Sequence, residues 1–332
     1  MPTDFAVRMV AEEQAALVEE ERDPTPLGPR EVAGPTIASL VSPGTELACF
    51  QGQDAYAGPP GFPRSTGYAA VFRVEAAGAE VTGVRPGDLA FAQTNHRSCQ
   101  RTTADRIVRV PDGLDAARAT IARMMGIGMT TLTTTEARPP AVVLVTGLGI
   151  VGNCAAQVFR LCGYRVVAVD PSEPRRELAR RCGVEDVRPA VPLDDPAVAG
   201  RVSLALECSG HEAAVLDGCK AVRRRGEVVL CGVPWIRRTD RTAHELLAEV
   251  FHRYVTLRSG WEWEIPPDET AFRSGSRKEN FAAALDWLAD GRIATDGLFE
   301  VRRPQEAPAA YRDLLKGRTD ALTVLFDWSA LR

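Results

Sequence analysis

From residue 141 onward, short apolar runs rich in β-branched residues alternate with amphipathic stretches of helical period. Runs of this kind fit strands buried on both faces of a sheet, and the stretches between them fit helices that cover those faces. Such alternation is typical of a doubly wound parallel sheet. The predicted strands are the run that begins at Val142, Tyr164–Val169, Val202–Glu207, Glu227–Cys231 and Val255–Ser259, and the predicted helices are Asn153–Leu161, Arg176–Cys182, Glu212–Val222 and Ala243–Arg253.

The first part of the chain, to about Leu114, has a different pattern, in which short strands are interrupted by proline and glycine turns. This pattern predicts a compact β-rich domain. The amphipathic segment Asp115–Met125 is expected to open the crossover to the parallel sheet. The predicted strands of the β-rich domain are Phe5–Val10, Ala16–Glu20, Glu31–Leu40, Ala69–Ala76, Asp88–Gln93 and Arg106–Val110.

The last segment returns to mixed character, and we expect it to complete the first domain. The predicted fold class is therefore α/β, with a discontinuous β-rich domain of residues 1–118 and 261–332 and a nucleotide domain of residues 119–260. The predicted elements of the last segment are the helices Glu279–Leu288 and Ala307–Leu315 and the strands Leu298–Val301 and Ala321–Trp328.

A glycine-rich turn follows the strand that begins at Val142. Gly147, Gly149 and Gly152 form a G-x-G-x-x-G pattern between a predicted strand and a predicted helix, the context in which this pattern marks a dinucleotide site. Gly147 permits the tight turn, Gly149 lets the backbone approach a pyrophosphate, and Gly152 lets helix and strand pack closely. The candidate cofactor contacts are Gly147, Leu148, Gly149, Ile150, Val151 and Gly152.

Asp170 ends the second predicted strand, at about the twenty-residue interval that this motif requires. A carboxylate there accepts hydrogen bonds from the ribose hydroxyls and repels a 2′-phosphate, which favours NAD over NADP. Arg175 and Arg176 count in the other direction, because an arginine beyond this strand can pair with a 2′-phosphate. Alternatively, the two arginines begin a helix and face water. Arg175 is kept as a candidate cofactor contact.

Ligands of a doubly wound sheet lie beyond the carboxyl ends of its strands. Two further strand ends of this sheet are Cys208–Gly210 and Cys231–Pro234. Ser209 and Gly232 are therefore candidate cofactor contacts, and Thr131, before the first strand, is a third.

Composition and charge exclude several classes of protein. The chain has 332 residues, 45% hydrophobic and 25% charged, which fits an ordinary globular protein of two domains. Its net charge of -4 predicts neither nucleic-acid nor membrane binding. Eight cysteines are scattered without a C-x-x-C pair, so neither a disulfide framework nor a four-cysteine zinc lobe is expected. We expect a cytoplasmic protein, because no secretory or spanning segment is evident.

The order of a β-rich domain, a nucleotide domain and a C-terminal return resembles the medium-chain dehydrogenase/reductase superfamily of zinc alcohol dehydrogenase-like proteins. The motifs that carry the resemblance are Ser-Pro-Gly-Thr-Glu at 42–46, Phe-Pro-Arg-Ser-Thr-Gly-Tyr at 62–68, Val-Arg-Pro-Gly-Asp at 84–88, and the glycine motif ending at Asp170. The resemblance covers essentially the full chain. It implies a GroES-like catalytic domain, a Rossmann domain, a substrate cleft between them and a homodimer paired through the strand Val255–Ser259.

The chain departs from the zinc enzymes of this superfamily at every ligand position. Pro43 stands where the family has a cysteine, and Tyr68 and Ala69 stand where it has a histidine and a glutamate. The third ligand should fall near 123–129, which contains no Cys, His or Glu. A catalytic zinc needs three protein ligands, so we expect no metal. The variant resembles the zinc-less branch that includes bacteriochlorophyllide dehydrogenases.

Without zinc, another group must handle the proton of the substrate hydroxyl. The resemblance places Thr45 and Tyr68 beside the nicotinamide, so these two residues are the first catalytic candidates. Tyr68 suits hydrogen bonding to the substrate oxygen better than proton abstraction, because its pKa of about 10 would have to fall and no lysine is obviously placed to lower it. Glu46 is a candidate for orientation or proton relay, and His96 for proton exchange. Packing or turn roles are the alternatives for these residues.

The leading hypothesis is a zinc-independent, NAD-dependent dehydrogenase that acts on a secondary alcohol or its ketone within a biosynthetic pathway. The second is a reductase of an activated C=C bond or a quinone, a class that usually prefers NADPH. The third is a non-enzymatic dinucleotide-binding protein that kept the fold after losing its metal. Fold alone gives neither the substrate nor the reaction direction.

Overall fold

The computed structural model describes residues 3–53, 61–273 and 275–331. The chain divides into two compact units, a first unit of residues 1–123, 281–290 and 297–332 and a second unit of residues 124–280 and 291–296. The segment 261–280, which the sequence analysis assigned to the first domain, groups with the second unit. One reason is the ion pair between Glu264 and Arg258, with Nη1 and Oε2 3.0 Å apart.

The strands and helices are numbered in chain order. The strands are β1 (Thr3–Ala11), β2 (Gln14–Glu21), β3 (Glu31–Leu40), β4 (Arg64–Ser65), β5 (Ala70–Arg73), β6 (Ala76–Ala77), β7 (Leu89–Ala92), β8 (Cys99–Thr103), β9 (Ile107–Arg109), β10 (Val142–Thr146), β11 (Arg165–Val169), β12 (Asp186–Arg188), β13 (Val202–Glu207), β14 (Val222–Leu230), β15 (Thr256–Ser259), β16 (Phe299–Arg302) and β17 (Thr323–Asp327). The helices are α1 (Pro43–Phe50), α2 (Ala116–Ala119), α3 (Ala122–Thr134), α4 (Ile150–Leu161), α5 (Glu173–Arg181), α6 (Glu212–Ala221), α7 (Ala243–Arg253), α8 (Arg277–Ala289) and α9 (Ala307–Leu315).

The second unit is built on a six-stranded parallel sheet of order β12-β11-β10-β13-β14-β15. Its central strand is buried on both faces, because Val143 and Val145 pack into one apolar cluster and Leu144 into another. The apolar runs of the sequence predicted this arrangement, and the α/β fold with a doubly wound parallel sheet is confirmed. The carboxyl ends of β10, β11, β13 and β14 therefore lie along one edge of the sheet.

The first unit contains a three-stranded sheet, β2-β1-β4, and a larger sheet ordered β16-β17-β3-β5-β7-β9, with β6 and β8 also paired to β3. The C-terminal strand β17 pairs antiparallel with β3, which joins the last segment of the chain to the first. An apolar cluster that includes Phe50, Tyr311 and Trp328 packs the two termini of the unit together.

Two elements of the first unit were not among the predicted ones. The segment 43–50 is the helix α1, which the sequence analysis treated only as a motif: Pro43 opens it and Glu46 supports its first turn. Cys99–Thr103 is the strand β8, which pairs with β3. In the second unit, the exposed run Arg223–Arg225 forms a bulge inside β14, as the register shift between β13 and β14 shows.

No helix in the part of the chain that the structure describes has both the length and the apolar character that crossing a membrane would require.

Candidate functional site

The glycine turn of the second unit has the backbone that its sequence predicts. Gly147 adopts φ +81°, a conformation that strongly favours glycine, and its N–H donates to the Val169 carbonyl of β11 at 2.8 Å. A Cβ on Gly152 would lie 1.8 Å from the Gly147 carbonyl oxygen. Gly147 and Gly152 are therefore required by the fold of the turn itself.

Gly149 differs from its two neighbours because nothing lies within 4 Å of the place its Cβ would occupy. It is the N-cap residue of α4 and, as a glycine, offers no side chain to cap the first turn of that helix. Uncapped amides at a helix start favour an anion, because they are unsatisfied donors at the positive end of the helix dipole. Ile150 and Val151, two of the predicted contacts, form that first turn, and the amide of Leu148 points elsewhere.

Asp170 accepts the Leu148 amide. The Leu148 N–H donates to Asp170 Oδ2 at 2.8 Å, and the Ser172 N–H donates to Oδ1 at 2.8 Å. Asp170 is 2% exposed, so its carboxylate is a fixed, buried charge that joins the glycine turn to the end of β11. Arg175 lies beside it, with Nη1 3.6 Å from Oδ2, while its own side chain is about half exposed.

The alternative that Arg175 and Arg176 both face water is wrong for Arg176. Its side chain is buried, and Nη1 donates to the carbonyl oxygens of Asp170 at 2.7 Å and Pro171 at 2.8 Å. These bonds hold the chain in place after β11. Arg175, in contrast, has the exposed position that a cofactor contact requires.

The other predicted cofactor contacts lie at neighbouring strand ends. Ser209 is exposed beyond β13. A Cβ added to Gly147 would lie 2.7 Å from the Ser209 amide nitrogen, so Ser209 lies against the glycine turn. A Cβ on Gly232, beyond β14, would lie 2.2 Å from the Gly210 nitrogen. Thr131 is fully buried on α3, and its Oγ1 is 3.6 Å from Cys231 Sγ. The structure thus brings Ser209 and the glycine turn together, whereas the Thr131 hydroxyl points to the Cys231 thiol.

The first unit contains a buried polar cluster centred on Glu46 of α1. Glu46 Oε1 accepts the Ser42 amide at 2.7 Å, and Oε2 accepts the hydroxyls of Thr66 at 2.7 Å and Tyr311 at 2.5 Å. His96 Nε2 lies 3.1 Å from the same Oε2. Burial opposes ionisation most strongly, but the His96 ring and these donors outweigh it and lower the pKa of Glu46. Glu46 is therefore an anchored carboxylate.

His96 is fully buried in the same cluster. Its Nδ1 lies 2.7 Å from Ser39 Oγ, which also accepts the Trp328 indole N–H at 2.8 Å, and its ring packs edge-on against Phe326. A Cβ on Gly67 would lie 2.6 Å from the imidazole, so the preceding loop also closes over it. These contacts fit a packing role better than proton exchange with a substrate.

Tyr68 and Thr45 form a second, partly exposed group. The Tyr68 hydroxyl donates to Ser42 Oγ, and the Thr45 side chain hydrogen-bonds to the same phenol. The guanidinium carbon of Arg123 lies 4.6 Å from the centroid of the Tyr68 ring. Burial raises the pKa of Tyr68, although Arg123, Ser42 and Thr45 act in the opposite direction. Tyr68 is therefore a neutral phenol at ordinary pH, and Ser42 Oγ accepts its proton in this structure.

These residues do not fit a zinc ion. Pro43 offers no ligand atom, the Tyr68 phenol would have to ionise against its raised pKa, and both oxygens of Glu46 are already occupied by donors. Within the described ranges, no group of three or more His, Cys, Asp or Glu side chains could hold a metal ion.

Sequence reasoning missed several residues of these groups. Ser42, Thr66 and Tyr311 bind the predicted candidates, but hydroxyl residues are too common to single out without coordinates. Arg123 was passed over because the search at 123–129 asked only for metal ligands. A cation in that segment was the available signal.

Part of the chain matches a known protein family. Residues 151–262 match the family model of zinc-binding dehydrogenases. An alcohol dehydrogenase from Geobacillus stearothermophilus is 29% identical over 234 residues, which are 68% of this chain and 62% of that protein. The chain therefore spans less than two thirds of the length of this curated relative.

Two solved structures share the fold over nearly the whole chain. Galactitol-1-phosphate dehydrogenase from Escherichia coli superposes with a TM-score of 0.80 at 15% identity, covering 97% of this chain and 99% of that one. Acetophenone reductase from Geotrichum candidum, solved in complex with NAD, superposes with a TM-score of 0.77 at 19% identity, covering 98% of each chain. These two likenesses show the fold of the chain, and the zinc-binding dehydrogenase model covers its residues 151–262.

Proposed function

We propose that this chain is a zinc-independent oxidoreductase that transfers a hydride between a nicotinamide dinucleotide and a small secondary alcohol or ketone. The observation that carries the proposal is the glycine turn, where Gly152 is sterically required, Gly149 leaves open space, and the first turn of α4 has no side-chain cap. A purely structural turn has no need of open space beside uncapped amides. The names of the relatives, alcohol dehydrogenase among them, support the same reaction class.

The dinucleotide supplies the hydride acceptor or donor when it is bound. The amides of the first turn of α4 would hold its pyrophosphate, because they are unsatisfied donors at a positive helix end. Asp170 would accept the ribose hydroxyls beside the Leu148 amide that it already binds. Ser209 and Gly232, at neighbouring strand ends, would border the nicotinamide half.

NAD is the proposed cofactor, with NADP second. Asp170 is a buried, fixed carboxylate, and a 2′-phosphate placed against it would meet like charge. Arg175 partly offsets that charge at 3.6 Å, so the selectivity rests on the balance between the two side chains. The carboxylate prevails in this proposal because it is fixed by two backbone amides, whereas Arg175 is half exposed and screened by solvent.

A paired fluorescence titration of the chelator-treated protein with NADH and NADPH tests this proposal, with the metal content assayed on the same sample. We expect tighter binding of NADH. Asp170→Ser should weaken NADH binding about tenfold or more, since it removes charged hydrogen bonds worth about 1.5–3 kcal/mol each, and should shift the preference towards NADPH. The control is Asp186→Asn, a charge loss on β12.

Three results would change the proposal. Preferential NADPH binding by the unaltered protein would favour the second candidate, a reductase of an activated C=C bond or a quinone, for which Arg175 would be the phosphate contact. Binding of neither dinucleotide would favour the non-enzymatic alternative. Activity that requires stoichiometric zinc would refute the metal-free mechanism.

In the proposed mechanism Tyr68 and Thr45 hold the substrate oxygen, and Arg123 stabilises negative charge that develops on it. Tyr68 acts as a donor and not as a base, because burial raises its pKa. Hydrogen-bond donors and a nearby cation stabilise an oxyanion, and the Tyr68 proton, which Ser42 Oγ accepts in this structure, would turn to the substrate oxygen. The Arg123 guanidinium, packed on the Tyr68 ring, supplies positive charge to the group that contains Pro43 and Tyr68, the positions of two zinc ligands in the metal-dependent relatives.

Tyr68→Phe is expected to lower kcat about 100-fold while the dissociation constant for NADH changes less than about twofold. The reason is that loss of one oxyanion donor typically costs about 100- to 1,000-fold in kcat. Tyr164→Phe is the control, because that hydroxyl donates to the Ala137 carbonyl inside the second unit. Equal kcat values for the two variants would remove Tyr68 from the mechanism.

A homodimer paired through β15 is part of the proposal. β15 is an edge strand of the six-stranded sheet, and large apolar side chains nearby are exposed, among them Phe251 at 78% and Tyr254 at 69%. An exposed edge strand beside apolar side chains is a surface that a second copy could cover. The mass in solution, measured by light scattering, tests it, and a monomer would contradict it. The zinc-less bacteriochlorophyllide dehydrogenase branch, the biosynthetic role and the cytoplasmic location stay predictions from the sequence.

A further inference from the structure

Cys208 and Cys231 occupy facing positions at the ends of two neighbouring strands. β13 and β14 pair in parallel, and their last paired residues are Glu207 and Leu230, so the two cysteines follow at the next position of the register. Neighbouring strands lie about 4.7–4.9 Å apart, within the range of about 4.4–6.8 Å between the Cα atoms of disulfide-bonded cysteines. The backbone therefore brings these two residues within disulfide range.

The two side chains also point to the same face of the sheet. Both pack against one apolar cluster of the second unit, and both are half-buried free thiols. Each thiol shifts the pKa of the other, and Thr131 Oγ1 lies 3.6 Å from Cys231 Sγ. Cys231 therefore has two polar neighbours, Thr131 and Cys208.

This arrangement makes the two thiols unequal. The Cys208 hydrogen bond, with help from Thr131, lowers the pKa of Cys231 despite its burial, and the same bond raises the pKa of Cys208. Among the other described cysteines with a resolved shift, burial raises the pKa, to about 11 in the case of Cys219. A thiolate is the reactive form of cysteine, so among the described cysteines with a resolved shift Cys231 is the most suited to attack an electrophile.

We infer that Cys231 and Cys208 form an oxidant-sensitive dithiol, in which a hydroperoxide oxidises Cys231 first and Cys208 then closes a disulfide. In the first step the Cys231 sulfur attacks one peroxide oxygen. An S–O bond forms, the O–O bond breaks, and the leaving oxygen takes a proton to give water when the oxidant is hydrogen peroxide. In the second step the Cys208 sulfur attacks Cys231, the S–O bond breaks, and hydroxide leaves with the Cys208 proton as a second water.

The pair is placed where its oxidation would disturb the glycine turn. A Cβ on Gly152 would lie 3.3 Å from Cys208 Cβ, so Cys208 lies directly against the start of α4. Drawing Cys208 towards Cys231 would change the contact on which that turn rests. The expected consequence, weaker dinucleotide binding, rests on the proposed function, whereas formation of the disulfide does not.

The test uses the full native chain without dinucleotide, exposed to a small excess of hydrogen peroxide, then unfolded and titrated for thiols. We expect loss of two of the eight thiols, a mass lower by two hydrogen atoms, and a peptide that joins the two strand ends after digestion. Cys208→Ser should instead retain a sulfenic acid at Cys231 that reacts with dimedone. Cys231→Ser should lose both the disulfide and the label, and Cys162→Ser, which alters another half-buried thiol, should behave as the unaltered protein.

Two results would overturn the inference. The first is that all eight thiols remain after a peroxide treatment that oxidises a reference dithiol protein. The second is that a disulfide forms equally well in Cys231→Ser. A separate NADH titration of oxidised and reduced protein measures how the disulfide affects dinucleotide binding. We expect the oxidised protein to bind NADH about tenfold more weakly, and dithiothreitol to reverse this loss. Disulfide formation in a protein that binds neither dinucleotide would refute the proposed function and leave the dithiol standing.

Discussion

Gly152→Ala is expected to abolish measurable dinucleotide binding, with a dissociation constant for NADH raised about 100-fold or more. The added Cβ would lie 1.8 Å from the Gly147 carbonyl oxygen, a backbone atom that no side-chain rotation can move away. In the interior of an ordinary helix, replacing glycine by alanine stabilises the helix by about 0.5–1 kcal/mol. Overpacking typically costs about 1–3 kcal/mol and occasionally more, so here the clash outweighs the gain.

Fluorescence titration with NADH and a thermal unfolding curve measure the two consequences separately. The matched control is Gly149→Ala in the same turn, where nothing lies within 4 Å of the new Cβ and the backbone φ is -62°. That variant should unfold at the temperature of the unaltered protein and still bind NADH more weakly, since its methyl group occupies the space proposed for the pyrophosphate. An unchanged NADH affinity in Gly152→Ala would mean that this turn does not hold the cofactor.

The second unit was predicted well from the sequence because the local pattern of each element indicates its burial. An apolar run such as Val142–Thr146 is buried on both faces, and a glycine motif that needs both positive φ and close contact leaves few alternatives. Ala243–Arg253 and Val202–Glu207 have the predicted bounds. Here local pattern and tertiary packing point to the same structure.

The first unit was harder to predict because its decisive contacts join residues far apart in the chain. Glu46 and Tyr311 are hydrogen-bonded across 265 positions, and Trp328 reaches Ser39 across 289. No local pattern distinguishes such hydroxyls from turn residues. The helix α1 was missed for a related reason, since Pro43 and Gly44 suggest a turn by propensity, while the bond from the Ser42 amide to Glu46 stabilises a helix start.

The same difference explains the outcome for the candidate site. Gly147, Gly152 and Asp170 could be assigned roles from spacing, because the motif fixes their geometry relative to one another. Tyr68 and Thr45 were chosen from a resemblance, and the structure adds what spacing could not show, namely their common partner group and the cation of Arg123. His96 was chosen for its intrinsic pKa, which carries no information about burial.

Glu46→Gln is expected to lower the free energy of unfolding by about 2–4 kcal/mol. Ser42, Thr66, Tyr311 and His96 all present polar groups to the carboxylate, and three of them converge on Oε2. An amide in its place must direct its NH₂ group at either the Ser42 amide or the Oε2 donors, so at least one donor is left buried and unsatisfied, at about 1–3 kcal/mol each.

Thermal unfolding measures this loss as a fall in midpoint of about 5–15 °C, at about 2–4 °C per kcal/mol for a unit of this size. The control is Glu19→Gln, an exposed glutamate of β2 in the same unit, which should change stability by less than about 0.5 kcal/mol. Tyr311→Phe removes one donor and leaves the carboxylate, so it should fall between the two. Equal midpoints for Glu46→Gln and Glu19→Gln would show that the cluster does not stabilise the first unit.

The pH dependence of the same loss identifies its electrostatic part. The His96 ring and the donors around Glu46 lower its pKa in the folded protein, so the carboxylate stabilises the fold at pH values above the unfolded pKa of about 4.3. That contribution is lost as the pH falls through the lower, folded pKa. The difference in stability between the unaltered protein and Glu46→Gln should therefore be constant near neutral pH and shrink below about pH 4. A difference that grows in acid would mean that the carboxylate is protonated in the folded state, and that the cluster is held by neutral hydrogen bonds alone.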